Sequence, residues 1–308
     1  MPSRTGLFAK SGVGGPVIIA DIEQHPGNVF FVNSATGTDA TGYGRNPDAP
    51  LATIAYAFSS DLVAAGDVVY VMPGHTETIA AAGGITADIA GVRVIGLGWG
   101  ASRPLLTWSA TDSSILITAA SVQFKNLRTK VSVDEVVSMI AVSAAHVTLD
   151  AIDFEDTADA QAIQFLLTTN AADYLTVKNC FHEQILAAPT ANSKWIQLVG
   201  VNGARILDNV FHLLFTNAAA SVTISGSTAV IGAIIGRNVI IQRGGTTQVS
   251  AILLVDGSTG SYAFDNRVAC TATAATTVID VGNAGYAGGN LGQNDPDASG
   301  LVVPAADL

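Results

Sequence analysis

Short stretches of alternating apolar and polar residues recur along most of the chain. Six of them align without gaps, and their equivalent positions are 25 to 30 residues apart. They are VQFKNLRT from Val122, VTLDAIDF from Val147, LTVKNCFH from Leu175, RILDNVFH from Arg205, IIGRNVII from Ile234 and YAFDNRVA from Tyr262. A second apolar run lies between consecutive copies, so each period contains at least two short strands.

A period of this length, with strand-type alternation and no helical pattern, predicts a parallel β-helix. In that fold each coil stacks on the previous one at a spacing of about 4.8 Å, so equivalent positions form columns along the solenoid. The chain of 308 residues is then predicted to be a single all-β domain.

Two aligned positions predict columns of polar side chains. The fifth position predicts a column of asparagines that adopt left-handed backbone at a corner and bond to one another through their amides. The fourth position alternates in charge, and opposite charges one coil apart favour one register by about 0.2–1 kcal/mol each. The fifth-position column is Asn126, Ala151, Asn179, Asn209, Asn238 and Asn266, and the fourth-position column is Lys125, Asp150, Lys178, Asp208, Arg237 and Asp265.

The same alignment gives a structural interpretation to a cluster that looks reactive. LTVKNCFHE contains Cys180 and His182, but His182 aligns with His212 and Cys180 aligns with apolar residues. We therefore expect a column of histidines and a buried thiol rather than a catalytic pair.

Residues 29–74 differ from the repeated coils and contain a strand, a loop rich in glycine and aspartate, a helical stretch at about 51–65 and a second strand. The matching motifs are FVNS at 31–34, GTD at 37–39, PLATI at 50–54, AGD at 65–67 and PG at 73–74. Their order resembles the N-terminal cap of the right-handed parallel β-helix, or pectin-lyase-like, superfamily. The resemblance implies a right-handed solenoid whose apolar end is covered by a short helix at 53–63.

The cap, together with VMPGHTETI at 71–79 and VRVIGLGWG at 92–100, is also similar to β-helix proteins encoded among the structural genes of tailed bacteriophages. That resemblance implies a virion component such as a decoration protein, fibre or tailspike. The chain then divides into a docking arm (1–28), the cap (29–74), the coils (75–285) and a C-terminal tail (286–308). Partner docking is expected at the apolar patch Val17, Ile18 and Ile19.

Composition narrows the possible partners. Charged residues are only 13% of the chain and the net charge is −11, so nucleic-acid binding through phosphate contacts is not expected. No apolar run reaches the roughly 18 residues of a membrane span, and the N-terminus has no secretory h-region. The two cysteines are expected to be free thiols, and the sparsely charged flanks favour a homotrimer.

A polysaccharide lyase or hydrolase is the main enzyme alternative, since this fold commonly carries those activities. It would need carboxylates in a groove with a nearby arginine or lysine. The best cluster is Asp153, Glu155 and Asp156, beside Asp150 and Asp159, with Arg128 one coil away. Arg128 can instead simply pair with Asp153. No metal-ligand spacing or dinucleotide motif stands out, so no metal or cofactor is expected.

The sequence therefore predicts a non-enzymatic structural protein of a phage particle, assembled in the host cytoplasm. Capsid decoration through the N-terminal arm, on the major capsid protein or another virion protein, is the first expectation. A tailspike or fibre that binds or depolymerises host surface polysaccharide is the alternative.

Overall fold

The computed structural model describes residues 27–155, 162–183, 194–214, 222–243, 250–270, 278–282, 284–295 and 298–301. Within them the chain is almost entirely β-structure, and the predicted parallel β-helix with a short N-terminal helix is confirmed. The predicted docking residues Val17, Ile18 and Ile19, and the acidic residues Asp156 and Asp159, lie outside the described residues. No helix in the described part of the chain is long and apolar enough to cross a membrane.

The elements follow one another in a regular order. One α-helix, α1, covers Ile54–Ser59, and a 3-10 turn covers Gly100–Ser102. The strands are β1 (Val29–Val32), β2 (Val68–Val71), β3 (Thr76–Ile79), β4 (Ile85–Ala87), β5 (Arg93–Gly96), β6 (Leu105–Trp108), β7 (Ile115–Ile117), β8 (Gln123–Val131), β9 (Ile140–Val142), β10 (Thr148–Glu155), β11 (Leu166–Thr168), β12 (Thr176–Lys178), β13 (Phe181–Glu183), β14 (Lys194–Val199), β15 (Arg205–Leu207), β16 (Val210–Leu214), β17 (Val222–Thr228), β18 (Ile234–Gly236), β19 (Val239–Arg243), β20 (Ile252–Leu254), β21 (Thr259–Phe264), β22 (Arg267–Cys270), β23 (Ile279–Asp280), β24 (Ala284–Gly288), β25 (Leu291–Asp295) and β26 (Ala298–Leu301).

The strands form two parallel sheets that stack coil on coil. An 18-stranded sheet contains two strand positions of each coil, and β8 and β10 are long enough to run through both. An 8-stranded sheet holds the third position, from β4 to β23. All pairings between successive coils are parallel, so a residue on one coil lies beside its equivalent on the next.

The space between the sheets is filled by columns of branched aliphatic side chains. The 8-stranded sheet contributes a column that is isoleucine at all but one position, and every member is at most 3% exposed. Branched side chains pack well on a pleated surface, and each fully buried one contributes roughly 1.5–3 kcal/mol. The column is Ile85, Ile115, Ile140, Leu166, Ile196, Ile224, Ile252 and Ile279.

Two corners of each coil use left-handed backbone. The first corner column has positive φ at Gly66, Gly91, Ser121, His146, Tyr174, Gly203, Gly232 and Gly260. The second has positive φ at Asn126, Ala151, Asn179, Asp208, Arg237, Asp265 and Gly289. From Ser121 to Asp265 the two corners are always five residues apart, as in 121 to 126 and 260 to 265. The pair of corners therefore sets the length of the strand between them.

The N-terminal end is closed by α1, which is shorter than the predicted 53–63. Its buried residues are Ile54, Ala57 and Phe58, and Val63 is also buried beyond it. The helix stops because Asp61 takes a left-handed conformation, with φ of 56°.

Carboxylates of the cap hold the helix in place. The Glu77 carboxylate accepts hydrogen bonds from the Ile54 amide at 2.7 Å and the Ala55 amide at 3.0 Å. Glu77 also lies 3.2 Å from Nε2 of buried His75, whose Nδ1 accepts from the Ser34 amide, so His75 donates to Glu77. The cap motifs thus supply the acceptors that the helix N-terminus lacks.

The C-terminal end departs from the parallel pattern. Strand β26 turns back and pairs antiparallel with β25, with Leu291 beside Leu301 and Gly292 beside Gly300. Because β25 is the last strand of its column, this pairing occupies an edge that would otherwise be open.

Replacing Glu77 with alanine should destabilise the protein. The change leaves two amides at the start of α1 and the His75 ring without their acceptor, which costs about 2–5 kcal/mol. Urea unfolding measures the loss. The matched control is Thr78→Ala, on the exposed face of the same strand, which should stay within about 0.5 kcal/mol of the parent. Equal effects of the two changes would contradict the proposed role of Glu77.

Candidate functional site

The predicted acidic cluster lies on an outward face of the solenoid. Within the parallel pairing of β8 and β10, Asp153 lies beside Arg128 and Glu155 beside Lys130. These positions alternate with buried residues such as Phe154, so their side chains point away from the core. The structure therefore brings Arg128, Asp153 and Glu155 together on adjacent coils.

Each described carboxylate of the cluster is held by an arginine. Arg128 binds Glu155 in a bidentate pair, with Nε–Oε1 at 2.5 Å and Nη2–Oε2 at 2.9 Å. Arg128 lies beside Asp153, as expected, but its guanidinium bonds to Glu155, and Asp153 is instead bound by Arg103, two coils earlier. The hydrogen bonds that Arg128 donates to Glu155 raise the pKa of Arg128, which keeps the guanidinium charged.

The two arginines engage one oxygen of Asp153 and both oxygens of Glu155, so each carboxylate is paired with a positive charge. A calcium ion or a substrate proton would have to compete with that arginine for the carboxylate. Within the described residues, no group of three or more His, Cys, Asp or Glu side chains is placed to hold a metal ion.

A second charged group follows the predicted column of alternating charges. Asp150 is only 4% exposed and lies between two lysines, 3.4 Å from Nζ of Lys125 and 3.7 Å from Nζ of Lys178. Asn179 also donates to it at 2.8 Å. Asp150 thus links three successive coils.

The predicted alternation stops after Lys178, because the alignment slips by one residue there. Strand β12 pairs with β15 so that Lys178 lies beside Leu207, not beside Asp208. The alternation resumes between Asp208 and Arg237, which form a bidentate pair at 2.7 and 2.6 Å. The hydrogen bond from Arg237 lowers the pKa of Asp208.

The same slip divides the predicted asparagine column into two columns with different roles. Asn126 and Asn179 occupy the second left-handed corner, where Asp208, Arg237 and Asp265 take the equivalent places. The other asparagines follow that corner and point into the core, where each amide nitrogen donates to the next oxygen at 2.9 Å. This buried ladder is Asn209, Asn238, Asn266 and Asn290.

The ladder is fully bonded at each step. Asn238, for example, accepts from the backbone and side-chain nitrogens of Asn209 and donates to the Ile206 carbonyl and to Asn266. Sequence alignment missed Asn290, which follows Gly289 at the last described corner. The spacing of 24 residues between Asn266 and Asn290 is close to the repeat period, and it could have identified Asn290 as the next member of the ladder.

The predicted histidine column is also wrong. His182 lies beside Phe211, and Glu183 lies beside His212. His182 is buried and stacks on Trp195 with ring centroids 4.2 Å apart, so Trp195 lies in the core. His212 faces outward in the next column, so the two rings cannot act on one substrate.

Both cysteines are free and buried, as predicted. Burial raises the pKa of Cys180 and of Cys270 to about 12. Neither thiol is therefore a nucleophile at neutral pH.

Sequence reasoning missed an aromatic platform on the outer face of the C-terminal coils. The Tyr262 ring stacks on Tyr286 at 5.1 Å and on Phe264 at 5.3 Å, with interplanar angles of 23° and 15°. The Phe264 ring covers Gly236, where an added Cβ would lie 2.3 Å from two ring atoms. The side chain of Arg237 lies over Phe264 at 5.5 Å.

An open surface groove adjoins this platform at the second corner. Its lining includes Arg237, Asp265, Arg267, Gly289 and Leu291. Flat aromatic rings and charged hydrogen-bonding groups are therefore neighbours on this face.

Comparisons with known proteins agree with the fold. No protein-family model matches the chain, and no curated protein matches it. Among solved structures, YbhC of Escherichia coli superposes with a TM-score of 0.54 at 11% identity, covering 95% of this chain and 92% of that one. Pectate lyase Pel9A gives 0.48 at 13% identity, covering 91% and 82%. A rhamnogalacturonan lyase gives 0.45 at 12%, covering 90% of each chain. The superposition on YbhC shows a shared fold, which agrees with the parallel β-helix described above.

Ala151→Asn should stabilise the protein by about 0.5–1 kcal/mol, because asparagine tolerates the left-handed backbone that Ala151 adopts at φ of 56°. Both neighbours in this column, Asn126 and Asn179, are already asparagine. The control is Ala141→Asn, at a half-buried position in the middle of β9, where no gain is expected. Urea unfolding of both variants tests this, and a gain of the same size at 141 would argue against the corner explanation.

Proposed function

We propose that the chain is a non-enzymatic structural protein of a bacteriophage particle, attached to the capsid surface through its N-terminal arm, residues 1–28. The phage assignment rests on the sequence resemblance of the cap and first coils. The observation that carries the non-enzymatic part is the occupation of Asp153 and Glu155 by Arg103 and Arg128.

The distribution of charge supports a structural role. Several described charged groups join successive coils, as in the Lys125–Asp150–Lys178 group and the Asp208–Arg237 pair. Such contacts favour one register between coils. At an exposed surface they contribute little to the free energy of unfolding.

The outer faces support assembly with other copies, for which a homotrimer is proposed. One outward column includes the apolar residues Phe181, Val210 and Val239 on successive coils, and Phe181 is 39% exposed. An exposed apolar column supports contact with another chain.

Deleting residues 1–28 should reduce the amount of protein retained on purified particles while leaving the solenoid folded. Occupancy is measured by quantitative gel analysis after particle purification, and folding by circular dichroism. Undiminished occupancy of the deleted protein would contradict the arm hypothesis.

The intact protein should assemble as a homotrimer. Native mass spectrometry should give three chains per assembly, and a monomeric mass would contradict the trimer.

The aromatic platform favours a second candidate, a surface that binds host glycans as in a fibre or tailspike. Sugar rings stack on flat aromatic faces, and the neighbouring Arg237, Asp265 and Arg267 could bond to hydroxyl or carboxylate groups. The pectate lyase and the rhamnogalacturonan lyase mentioned above are polysaccharide lyases according to their names. They resemble this chain in fold alone, so they carry no argument about its substrate.

Tyr286→Ala should weaken any binding of host surface polysaccharide about tenfold or more, since it removes a ring that is 64% exposed. The matched control is Tyr174→Ala, a ring that is 54% exposed and stacks on His146 at another corner. Binding is measured on glycan arrays, and turnover by release of reducing or unsaturated ends. Turnover that Asp153→Asn abolishes would overturn the non-enzymatic assignment.

A further inference from the structure

The second corner is enlarged on the coil that contains β5 and β6. Ile95 pairs with Lys125 of the next coil, and Leu105 pairs with Arg128. Nine residues separate Ile95 from Leu105, whereas only two separate Lys125 from Arg128. The extra residues form a loop at 97–104, here called the tryptophan loop, whose tip is exposed. Loops that a rigid scaffold positions in this way frequently carry binding residues.

Trp99 stands at the tip of the tryptophan loop, almost fully in solvent. It is 86% exposed, whereas Trp108 and Trp195 are buried, at 0% and 3%. Its neighbours Gly98 and Gly100 have positive φ of 95° and 54°, a backbone conformation that glycine adopts without strain. An indole in water gains none of the stabilisation that burial would supply. Trp99 therefore contributes no packing energy to its own chain.

The loop that carries this indole is held by hydrogen bonds. Ser102 Oγ accepts from the Trp99 amide at 3.1 Å and donates to the Trp99 carbonyl at 2.7 Å. Asn126 of the next coil donates to two carbonyls at the start of the loop, at 2.7 and 3.1 Å. Arg128 donates to a further carbonyl of the loop at 2.8 Å. The backbone around Trp99 is thus ordered before any partner binds, which lowers the entropic cost of association.

The charged side chains beside the loop neutralise one another. Arg103, in the loop, binds Asp153, and Arg128 binds Glu155 in the bidentate pair described above. Strong protein–protein contacts typically have a central aromatic anchor within a polar rim that excludes water. An exposed indole beside two ion pairs has that arrangement.

We propose that Trp99 is the anchor of a protein–protein contact and inserts into an uncharged apolar pocket on a neighbouring protein of the particle. The choice of partner rests on the proposed role in a phage particle. A projecting loop fits a concave partner surface, whereas sites for small ligands are themselves concave. A glycan would also need polar groups for its hydroxyls, and both arginines beside the loop are already paired with carboxylates. These observations favour a protein over a sugar.

Competition for particles tests the anchor. Equal amounts of the parent protein and the Trp99→Ala variant are offered to purified particles that lack this protein, and intact-mass spectrometry gives the bound ratio. The parent should be enriched about tenfold or more, which is the usual effect of removing an anchoring tryptophan. The Tm of the variant should equal that of the parent, because the indole packs on nothing in its own chain.

The matched control is Tyr174→Ala, which removes a ring that is 54% exposed at a corner further along the solenoid. This variant should compete equally with the parent. Equal binding of the parent and Trp99→Ala, or equal losses in both variants, would overturn the role of Trp99 and leave attachment to the particle intact. If the parent itself is not retained, the particle assignment fails, and the proposed partner fails with it.

Hydroxyl-radical footprinting identifies what covers the indole. Trp99 should be oxidised rapidly in the isolated full-length protein and several-fold more slowly on particles, while Tyr174 should be oxidised at the same rate in both. Protection of Trp99 by purified host surface polysaccharide would assign it to a glycan. Protection that appears on raising the concentration of the protein alone would assign it to a second copy. Either result, or an unchanged rate on particles, overturns the proposal.

Discussion

The fold depends on parallel hydrogen bonding between coils that stack in register. Each strand inside the stack has a neighbour on both sides along the axis, so a shift of one residue in such a coil would turn core side chains outward. Interior columns such as the one from Ile85 to Ile279 make that shift costly. The two left-handed corners, five residues apart, fix where each strand starts and ends.

Much of this could be predicted from the sequence, because a repeated apolar pattern implies stacked coils and the cap motifs resemble a known end structure. The register between the coils of Lys178 and Asp208 could not be obtained by aligning the asparagine that follows each of them, Asn179 and Asn209. Asn179 stands at a left-handed corner, whereas Asn209 follows one and enters the core. The same residue type serves two different physical roles there, and an alignment by identity superimposes them.

A signal that fixes the register was present in the glycines. Gly203, Gly232 and Gly260 mark the first corner, and five residues later come Asp208, Arg237 and Asp265. Tyr174 holds that first corner in the coil of Asn179, where no glycine marks it. The pairing of Arg103 with Asp153 could not be predicted for another reason. It joins residues that are 50 positions and two coils apart, with the coil of Arg128 between them.

Several charged groups hold neighbouring coils together, as at Asp150 and at the Asp208–Arg237 pair. In the candidate cluster Asp153 and Glu155 are each paired with an arginine, with which a substrate or ion would have to compete. The aromatic platform on the C-terminal coils keeps two exposed rings, Tyr262 and Tyr286, on the outside of the solenoid.

The reversed strand β26 affects whether copies of the protein can stack end to end. A parallel solenoid with an open last coil is a template on which another chain can add strands, as happens at the growing tip of a fibril. With α1 over the first coil and an antiparallel strand along β25, further copies of the protein are hindered from adding at those edges, even where their local concentration is high.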